Sequence, residues 1–387
     1  MKVVIVGGGF GGVKTALELA NKDGFEVVLI TQNADFEYHG ALYRSATGSS
    51  PLEVVLRIGD ILHHAKNVEI VIDKITALNN RVKMLRGETG QTYTYDTLVL
   101  GMGSVKNYFG IQGLEEYSHT MYTIKDTLEL RHDLVKMFSL AHKDNVRIAV
   151  IGAGPSGVEL SGELQNFANA VAEKYSLKPK KVHVSLIEGA DRVLPLLDPK
   201  ASDLALKRLQ KIGVEVKLHK KVIKCSRNIV HLDDTECAAD IIVWTAGSKP
   251  VDFYAKYPEV FTLKNGKVNV NELLQTPKDP HIYVIGDNAS TLYSGMAQTA
   301  LTDAIFVSHN LIHYAAHGTV KLYTPKKPIY VVPISGKWAV AEINGKVRSG
   351  RFGWSVRRKA DLFIFKNFEP MKKALKTWRQ ANHRAEF

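Results

Sequence analysis

A strand, a glycine-rich turn and a helix follow one another twice in this chain. The repetition predicts an α/β protein with two similar parallel-sheet halves, followed by a C-terminal segment. Residues 3–20 read VVIVGGGFGGVKTALELA, and residues 148–165 read IAVIGAGPSGVELSGELQ. The C-terminal segment is set apart by charge, since residues 346–387 hold 12 Lys and Arg against 3 Asp and Glu in a chain of net charge +12. A basic segment of this kind is expected to meet an anionic partner.

Length and composition describe a globular protein. The 387 residues, 45% hydrophobic and 23% charged, suffice for two or three domains. The sequence has no run of about 18 apolar residues, so we predict no transmembrane helix. A strand that begins at Lys2 leaves no room for a cleaved signal peptide, and Cys225 and Cys237 form no CxxC pair. We therefore expect a reducing, cytoplasmic compartment and no disulfide scaffold.

Both glycine-rich turns have the GxGxxG spacing of dinucleotide-binding sites. The first glycine permits a tight turn, the second lets a pyrophosphate approach the backbone, and the third lets the helix pack against the strand. The helix N-terminus then offers free amide donors to the phosphates. One such turn is a weak signal, but two copies between a strand and a helix predict two dinucleotide sites. The glycines are Gly7, Gly9 and Gly12 in the first copy and Gly152, Gly154 and Gly157 in the second.

The second strand of each half indicates which dinucleotide binds there. In the second half this strand ends in Glu188, which would bind the adenosine ribose hydroxyls and repel the 2′-phosphate of NADP. Arg192 lies close by and weakens that preference slightly. In the first half the strand ends in Thr31, so Thr31 or Asn33 would bind the ribose more weakly than a carboxylate. We predict NAD in the second half.

Three further strand ends predict a flavin in the first half. Residues 95–104 and 241–250 are each a strand followed by a small-residue turn, similar to the domain crossovers of two-dinucleotide flavoproteins. Residues 281–290 resemble the strand–Gly–Asp motif of that superfamily, in which Asp287 would meet the ribityl chain; the alternative is a helix N-cap. The candidate residues in these turns are Gly101, Gly103, Ala246, Gly247, Gly286 and Asp287.

Over nearly its whole length the sequence resembles the type II NADH dehydrogenases, the single-subunit NADH:quinone oxidoreductases. The resemblance is carried by FEYHGALYRSATG (36–48), NYFGIQGLEE (107–116), GPSGVELSGEL (154–164), GMAQTAL (295–301) and a C-terminal pattern of Ser349, Gly350 and Trp354. It implies two Rossmann-like domains and a C-terminal part. These are an FAD domain of residues 1–115 and 256–322, an NAD domain of residues 116–255, and a C-terminal domain of residues 323–387.

The resemblance also implies the cofactors, the reaction and two catalytic residues. Bound FAD would receive a hydride from NADH, and a membrane quinone would accept two electrons without proton pumping. Glu159 would lie near the nicotinamide and the flavin, and Gln298 beside the flavin at the quinone pocket. The alternatives are a surface helix glutamate and a residue that starts a helix. Thr302 stands where the family has a second glutamine. Phe10, Gly11, Thr31 and Ala297 complete the expected FAD contacts.

The basic C-terminal segment is predicted to bind an anionic membrane surface. Ile364, Phe368, Met371, Leu375 and Trp378 recur at spacings of four and three, as one helix face would, and Pro370 would divide that helix into two. Basic residues around an aromatic face are typical of helices in a membrane interface. We expect a peripheral enzyme on the cytoplasmic side of the cell membrane. The alternative is a helix packed on the body or in a homodimer interface.

Two other functions account for part of the sequence. A soluble NAD(P)H-dependent reductase of an acidic carrier such as ferredoxin would use the basic tail for docking. A redox-sensing flavoprotein would use it for nucleic acid, but the tail lacks a helix-turn-helix or stacking pattern, so we expect no nucleic-acid partner. We also expect no metal site, since His309, His313 and His317 share a helix face without an evident acidic or cysteine partner.

Overall fold

The computed structural model describes residues 1–140 and 144–380, and its α-helices include two that begin inside the glycine-rich turns. The helices of these described residues are α1 (Phe10–Leu19), α2 (Leu42–Ala46), α3 (Ile58–Ile61), α4 (Leu114–Tyr117), α5 (Ile124–Ser139), α6 (Pro155–Lys174), α7 (Pro199–Lys211), α8 (Ala297–His317), α9 (Arg351–Phe368) and α10 (Met371–Gln380).

The strands are short and most belong to two main sheets. In chain order they are β1 (Lys2–Val6), β2 (Glu26–Thr31), β3 (Asp35–Glu37), β4 (Val55–Arg57), β5 (Val68–Ile72), β6 (Ile75–Asn79), β7 (Met84–Gly87), β8 (Thr92–Thr94), β9 (Thr97–Leu100), β10 (Ser104–Lys106), β11 (His119–Thr120), β12 (Asn145–Ile151), β13 (Lys181–Ile187), β14 (Glu215–Lys217), β15 (Val222–Ser226), β16 (Ile229–Leu232), β17 (Glu236–Ala238), β18 (Ile241–Trp244), β19 (Ser248–Pro250), β20 (Leu263–Lys264), β21 (Lys267–Val268), β22 (Gln275–Thr276), β23 (Asp279–Val284), β24 (Tyr330–Pro333), β25 (Ala339–Ile343) and β26 (Lys346–Gly350).

Each half is organised around one mainly parallel sheet. The first sheet has the order β22-β23-β9-β1-β2-β5 and the second the order β11-β18-β12-β13-β14. Strands β1 and β12, which lead into the glycine-rich turns, each have a parallel neighbour on both sides. Their apolar runs are buried on both faces, as expected for the centre of a parallel sheet. The predicted α/β class with two similar halves is confirmed, whereas the exact domain boundaries stay a prediction.

The first sheet is built from two separate parts of the chain. Strand β23, from residues 279–284, pairs in parallel with β9, from residues 97–100, so the second half is inserted between them in sequence. The chain enters and leaves that insertion through β10 and β19, which pair antiparallel with Val105 opposite Lys249. This arrangement brings the carboxyl ends of both sheets close to the two crossovers.

The C-terminal segment forms a small sheet and two helices on the body. Strands β24, β25 and β26 form an antiparallel sheet, and the chain then turns into α9 and α10, which Pro370 separates as predicted. The prediction that one apolar stripe of the tail faces a membrane is wrong for Ile364 and Phe368. Both side chains are buried against residues of the first half. The ring of Phe368 lies 4.4 Å from that of Phe36, while Met371 stays 47% exposed. No helix among residues 1–140 and 144–380 has the length and apolar character needed to cross a bilayer.

We predict that Phe368→Ala lowers the free energy of unfolding by about 3–5 kcal/mol, because it removes a buried ring from an aromatic core. The matched control is Phe363→Ala on the same helix, whose ring is 55% exposed and should cost below about 1 kcal/mol. Urea unfolding of both variants measures the difference. Equal small losses would contradict the packing of α9 on the body.

Candidate functional site

The first glycine-rich turn leaves open space above the N-terminus of α1. A Cβ on Gly12 would lie 1.9 Å from the carbonyl oxygen of Gly7, and one on Gly7, where φ is +124°, would lie 2.1 Å from that of Gly101. Both positions therefore require glycine for close packing. A Cβ on Gly9 would meet no atom within 4 Å, and no side chain caps α1 there. The free amides and the open space suit a pyrophosphate.

The second turn repeats this geometry. A Cβ on Gly157 would lie 1.9 Å from the carbonyl oxygen of Gly152. Gly152 has φ of +103°, and a Cβ there would lie 2.7 Å from that of Ala246, two residues beyond the end of β18. Gly154 again faces open space and caps α6 without a side-chain hydrogen bond. The residues of both turns thus fit the phosphates of a dinucleotide.

Glu188 is held directly against the second turn. The amide of Gly152 donates to the carbonyl of Ile187 at 2.8 Å, which places the next residue, Glu188, beside the glycine loop. Its carboxylate accepts from the amide of Ala153 at 2.7 Å and from that of Ala190 at 2.9 Å. These bonds fix the carboxylate at the edge of the site, where a ribose would reach it.

Thr31 occupies the equivalent place in the first half. The amide of Gly7 donates to the carbonyl of Ile30 at 2.8 Å, as Gly152 does to Ile187. The Thr31 hydroxyl is buried and donates to the carbonyl of Asn33 at 3.0 Å. This hydroxyl is therefore already engaged, and the prediction that Thr31 binds the flavin ribose stays a prediction.

The strand–Gly–Asp turn lies beside the end of β9. Asp287 accepts a hydrogen bond from the hydroxyl of Ser104 at 3.4 Å, and the side-chain amide of Asn288 donates to the carbonyl of Gly103. Asp287 is part of a short turn over residues 286–288 and does not cap α8, whose first residue is Ala297. The helix N-cap alternative for Asp287 is therefore wrong, and its carboxylate stays a candidate ligand.

Phe10 and Gly11, two residues predicted to contact FAD, point towards the protein interior: the Phe10 side chain does so, and a side chain at Gly11 would. The Phe10 ring packs edge-on against Phe36 at 4.8 Å, and a Cβ on Gly11 would lie 2.8 Å from the side chain of Ile285. Their backbone amides, in the first turn of α1, are what they can offer a phosphate.

The second crossover is closely packed at Gly247. A Cβ there would lie 1.9 Å from the carbonyl oxygen of Asn107, and the amide of Asn107 donates to the carbonyl of Gly247 at 3.1 Å. The indole of Trp244 donates to the same Asn107 carbonyl at 3.0 Å. Gly247 therefore joins the two crossovers, next to the site formed by Gly152 and Ala246.

Glu159 belongs to a buried network of charges. The Arg357 guanidinium lies 2.9 Å from Glu159 and 3.1 Å from Asp361. Asp361 also accepts from Arg44 at 2.5 Å and from the Tyr38 hydroxyl at 2.9 Å. Glu159 comes from the second half, Tyr38 and Arg44 from the first, and Arg357 and Asp361 from α9. The surface-glutamate alternative for Glu159 is wrong, because the residue is only 5% exposed.

The arginines of the network stabilise the ionised form of Asp361 more strongly than that of Glu159. Burial raises the pKa of Asp361, but the charges of Arg44 and Arg357 outweigh it, so the pKa is held below its ordinary value. Burial also raises the pKa of Glu159, and Arg357, shared with Asp361, compensates only in part, so the pKa reaches about 7. Glu159 is thus a carboxyl that can change protonation near neutral pH.

Sequence reasoning missed Arg44, Arg357 and Asp361. The one available signal was on α9, where Arg357 and Asp361 occupy the helix face that continues through Ile364 and Phe368. Charged residues on a core-facing stripe are uncommon unless they are paired. The partner on α2 could not be found in this way, because it lies 317 residues away.

Gln298 lies at the start of α8 and is bound to the main chain of Ile329. Its side-chain amide donates to the carbonyl of Ile329 at 2.8 Å and accepts from the amide of Ile329 at 3.1 Å. The main-chain carbonyl of Gln298 accepts from the hydroxyl of Thr302 at 2.9 Å. Thr302, which stands where the family has a second glutamine, therefore uses its side chain for a hydrogen bond to the main chain one helical turn earlier.

The histidines of α8 make local contacts. His309 lies 3.3 Å from Glu18, an acidic partner that the sequence did not reveal, and His313 lies 2.9 Å from the hydroxyl of Thr319. Within residues 1–140 and 144–380 there is no group of three or more His, Cys, Asp or Glu that could hold a metal ion.

We predict that the stability difference between the wild type and Glu159→Gln depends on pH. The pKa of Glu159 rises from 4.5 to about 7 on folding, so the folded state binds more protons between these values. The contribution of this raised pKa to the free energy of unfolding is therefore complete below pH 4.5 and is lost as the pH rises through 7. Urea unfolding at pH 5, 6, 7 and 8 measures it, with exposed Glu173→Gln on the same helix as control. If the stability of the wild type relative to Glu159→Gln instead increased with pH, the raised pKa of Glu159 would be contradicted.

Known proteins agree with this geometry. Residues 1–304 match the family model of pyridine nucleotide-disulphide oxidoreductases. The type II NADH:quinone oxidoreductase Ndh of Mycobacterium tuberculosis is 30% identical over 334 residues, covering 80% of this chain and 72% of the relative. The type II NADH:quinone oxidoreductase NdhA of the same organism is 28% identical over 393 residues, covering 91% of this chain and 81% of that relative. A solved structure of NDH2 from Plasmodium falciparum in complex with NADH superposes with a TM-score of 0.87 at 18% identity, covering 98% of this chain and 97% of that one. The chain therefore belongs to the pyridine nucleotide-disulphide oxidoreductases and, within them, to the type II NADH:quinone oxidoreductase family.

Proposed function

We propose that this protein is an FAD-dependent NADH:quinone oxidoreductase. The observation that carries the proposal is the pair of matching glycine-rich turns, of which only the second has a carboxylate at the ribose position. FAD fits the first turn, Asp287 and the first crossover, while NADH fits the second turn and Glu188. FAD bound there would supply the redox chemistry, as the acceptor of a hydride from NADH and the donor of two electrons to the quinone, which would take up two protons.

The second site is suited to NADH rather than NADPH. Glu188 keeps a carboxylate at the ribose position, where it would repel a 2′-phosphate. Arg192, the one nearby group that weakened this preference, donates to the carbonyls of Pro195 at 2.7 Å and Leu197 at 3.1 Å. Its guanidinium is therefore engaged with the following loop.

The protein contributes position and charge to the hydride transfer. Glu159 lies five residues beyond Gly154, in the second helical turn of α6. We therefore propose that it lies at the nicotinamide end of the NADH site that the second glycine-rich loop begins. Arg357 fixes its carboxyl from behind at 2.9 Å. A carboxyl with a pKa of about 7 can hold or release a proton at its oxygen as the local charge changes.

We predict that Glu188→Ala raises the KM for NADH about tenfold and changes kcat much less, because charge-assisted hydrogen bonds to the ribose contribute mainly to binding. Steady-state NADH oxidation with a short-chain quinone measures both constants. Glu215→Ala is the control, since this carboxylate lies on strand β14 and pairs with Lys217 at 2.9 Å. An unchanged KM in Glu188→Ala would refute the ribose assignment.

We infer that the outer face of α10 binds an anionic membrane surface. Lys372, Lys376 and Arg379 are exposed at helical spacing, whereas Ala374 on the other face is buried. Trp378 does not point freely outward, because its indole donates to the carbonyl of Arg358 at 2.6 Å. These features favour electrostatic contact over deep insertion of the helix.

This contact would make the protein a peripheral membrane enzyme on the cytoplasmic side, where anionic lipids and quinone are both within reach. Each basic residue near an anionic leaflet contributes roughly 1 kcal/mol. The exposed rings of Phe352 and Phe363 on α9, each 55% exposed, add apolar area on the neighbouring helix. A soluble reductase of an acidic carrier protein would use the same basic face, and the lipid experiment separates the two.

We predict that reversing three charges, Lys372→Glu, Lys376→Glu and Arg379→Glu, weakens binding to phosphatidylserine vesicles by about 100-fold or more. Vesicle sedimentation measures binding, which should also fall as salt is raised. The control reverses three exposed lysines of α7, namely Lys200, Lys207 and Lys211. Deleting the segment is unsuitable, since α9 supplies core residues. Equal losses in both triple variants would show that the contact does not depend on α10.

A further inference from the structure

The turn between α2 and β4 exposes a leucine. In this turn, Pro51–Glu53, the side chain of Leu52 is 78% exposed, whereas the next two residues, Glu53 and Val54, are buried. Single exposed leucines are common on protein surfaces, so exposure alone indicates no function. Leu52 differs from a scattered surface residue in how its backbone is held and in what lies beside it.

Hydrogen bonds hold Leu52 in its outward position. The Ser50 hydroxyl accepts from the amide of Leu52 at 3.3 Å, and the carbonyl of Ser50 accepts from the amide of Glu53 at 3.1 Å. The amide of Val54 donates to the carbonyl of Pro51 at 3.0 Å, and the Pro51 ring restricts the backbone directly before Leu52. Because Glu53 and Val54 point inward, Leu52 cannot be buried in the protein without breaking this turn.

The turn lies against α10, the helix with the basic outer face. Cα atoms of the turn lie within 8 Å of Cα atoms of α10. Lys373 of α10 also lies 3.9 Å from Asp60, which follows the turn by seven residues. At the start of the same helix Met371 is 47% exposed. Two exposed apolar side chains, from distant parts of the sequence, therefore accompany the cations of α10.

The cations and the apolar side chains together fit a lipid surface. The exposed cations of β4 and α10 here are Arg57, Lys372, Lys376 and Arg379. Anionic headgroups would meet these cations, and the acyl chains beneath the headgroups would meet a leucine. A second copy of this chain would bring like charges together, which disfavours self-association at this face.

We propose that Leu52 enters the apolar layer of the membrane surface to which α10 binds. The inference rests on the proposed membrane contact of α10 and adds to it an apolar anchor that the first half supplies. The helix provides electrostatic attraction, and Leu52 provides burial of apolar area. Two contacts from different parts of the chain fix the orientation of the protein, with the first half towards the lipid. Quinone in the bilayer then approaches the half that binds FAD.

The test places an environment-sensitive fluorophore, NBD, at residue 52. Leu52→Cys is labelled, and the wild type carried through the same reaction corrects for Cys225 and Cys237, which are buried. Leu196→Cys is the matched control, since Leu196 is 82% exposed and lies in the second half, before α7. With phosphatidylserine vesicles, the label on Leu52→Cys should emit at shorter wavelength and be quenched by nitroxide-labelled acyl chains. The label on Leu196→Cys should show neither change.

The strength of binding gives a second readout that needs no label. Leu52→Ser should weaken binding to the same vesicles on the order of tenfold, because one leucine side chain no longer leaves water. The remaining binding should be lost at lower salt, since it depends on charge alone. Leu52→Phe should restore wild-type affinity, and Leu196→Ser should bind as the wild type does. Urea unfolding of Leu52→Ser should match the wild type, because the side chain is exposed.

Vesicle sedimentation of the labelled protein separates the outcomes. Sedimentation with vesicles but no spectral change at residue 52 would overturn the anchor and leave the contact of α10 in place. No sedimentation of the wild type at low salt would refute the membrane contact, and the anchor with it. A spectral change that appears with rising protein concentration and without lipid would assign the face to a second copy of the chain. A change with an acidic carrier protein but not with vesicles would assign it to that carrier.

Discussion

The double ion pair of Arg357 is the interaction on which the arrangement of the site depends. One guanidinium on the C-terminal helix α9 meets Asp361 on its own helix and Glu159 on α6, and it also donates to the main-chain carbonyl of Gly40. Charges this deeply buried are tolerated only when every partner is in place, and removing one typically costs 3–5 kcal/mol. The two halves and the tail are therefore assembled around a shared set of charges rather than joined by apolar contact alone.

This constraint gives the C-terminal segment two roles. Its inner side completes the core with Phe365 and Phe368 and supplies the partner of Glu159. Its outer side presents the basic residues of α10 to solvent. The start of β24 is held from two sides, since Arg357 donates to the carbonyl of Val331 and Gln298 donates to the carbonyl of Ile329, just before the strand. Glu159, through Arg357, and Gln298 are thus both connected to this one segment of the chain.

Much of the fold could be predicted because its signals are local. The two GxGxxG turns, the buried strands before them and the helices after them each lie within about twenty residues of sequence, and the steric need for glycine at positions 7, 12, 152 and 157 follows from the turn itself. The charge network could not be predicted, since Arg44 and Asp361 are 317 residues apart and neither belongs to a motif. The apolar period of the tail predicts a helix face but not what covers that face. Ile364 and Phe368 fit a membrane-facing stripe by their spacing, although they pack against residues of the first half. Whether an amide such as that of Gln298 is free or paired also depends on a distant main chain, which sequence patterns do not report.

The most direct test of the proposed function is an anaerobic stopped-flow measurement of the two half-reactions of the FAD-loaded protein. The account predicts that NADH bleaches the flavin absorbance rapidly and that a short-chain quinone restores it at a rate compatible with steady-state turnover. If NADH bleaches the flavin and an acidic carrier protein restores it while quinone does not, the protein is a carrier reductase and the quinone assignment is wrong. If NADH leaves the flavin oxidised, the assignment of the second glycine-rich turn to NADH is contradicted.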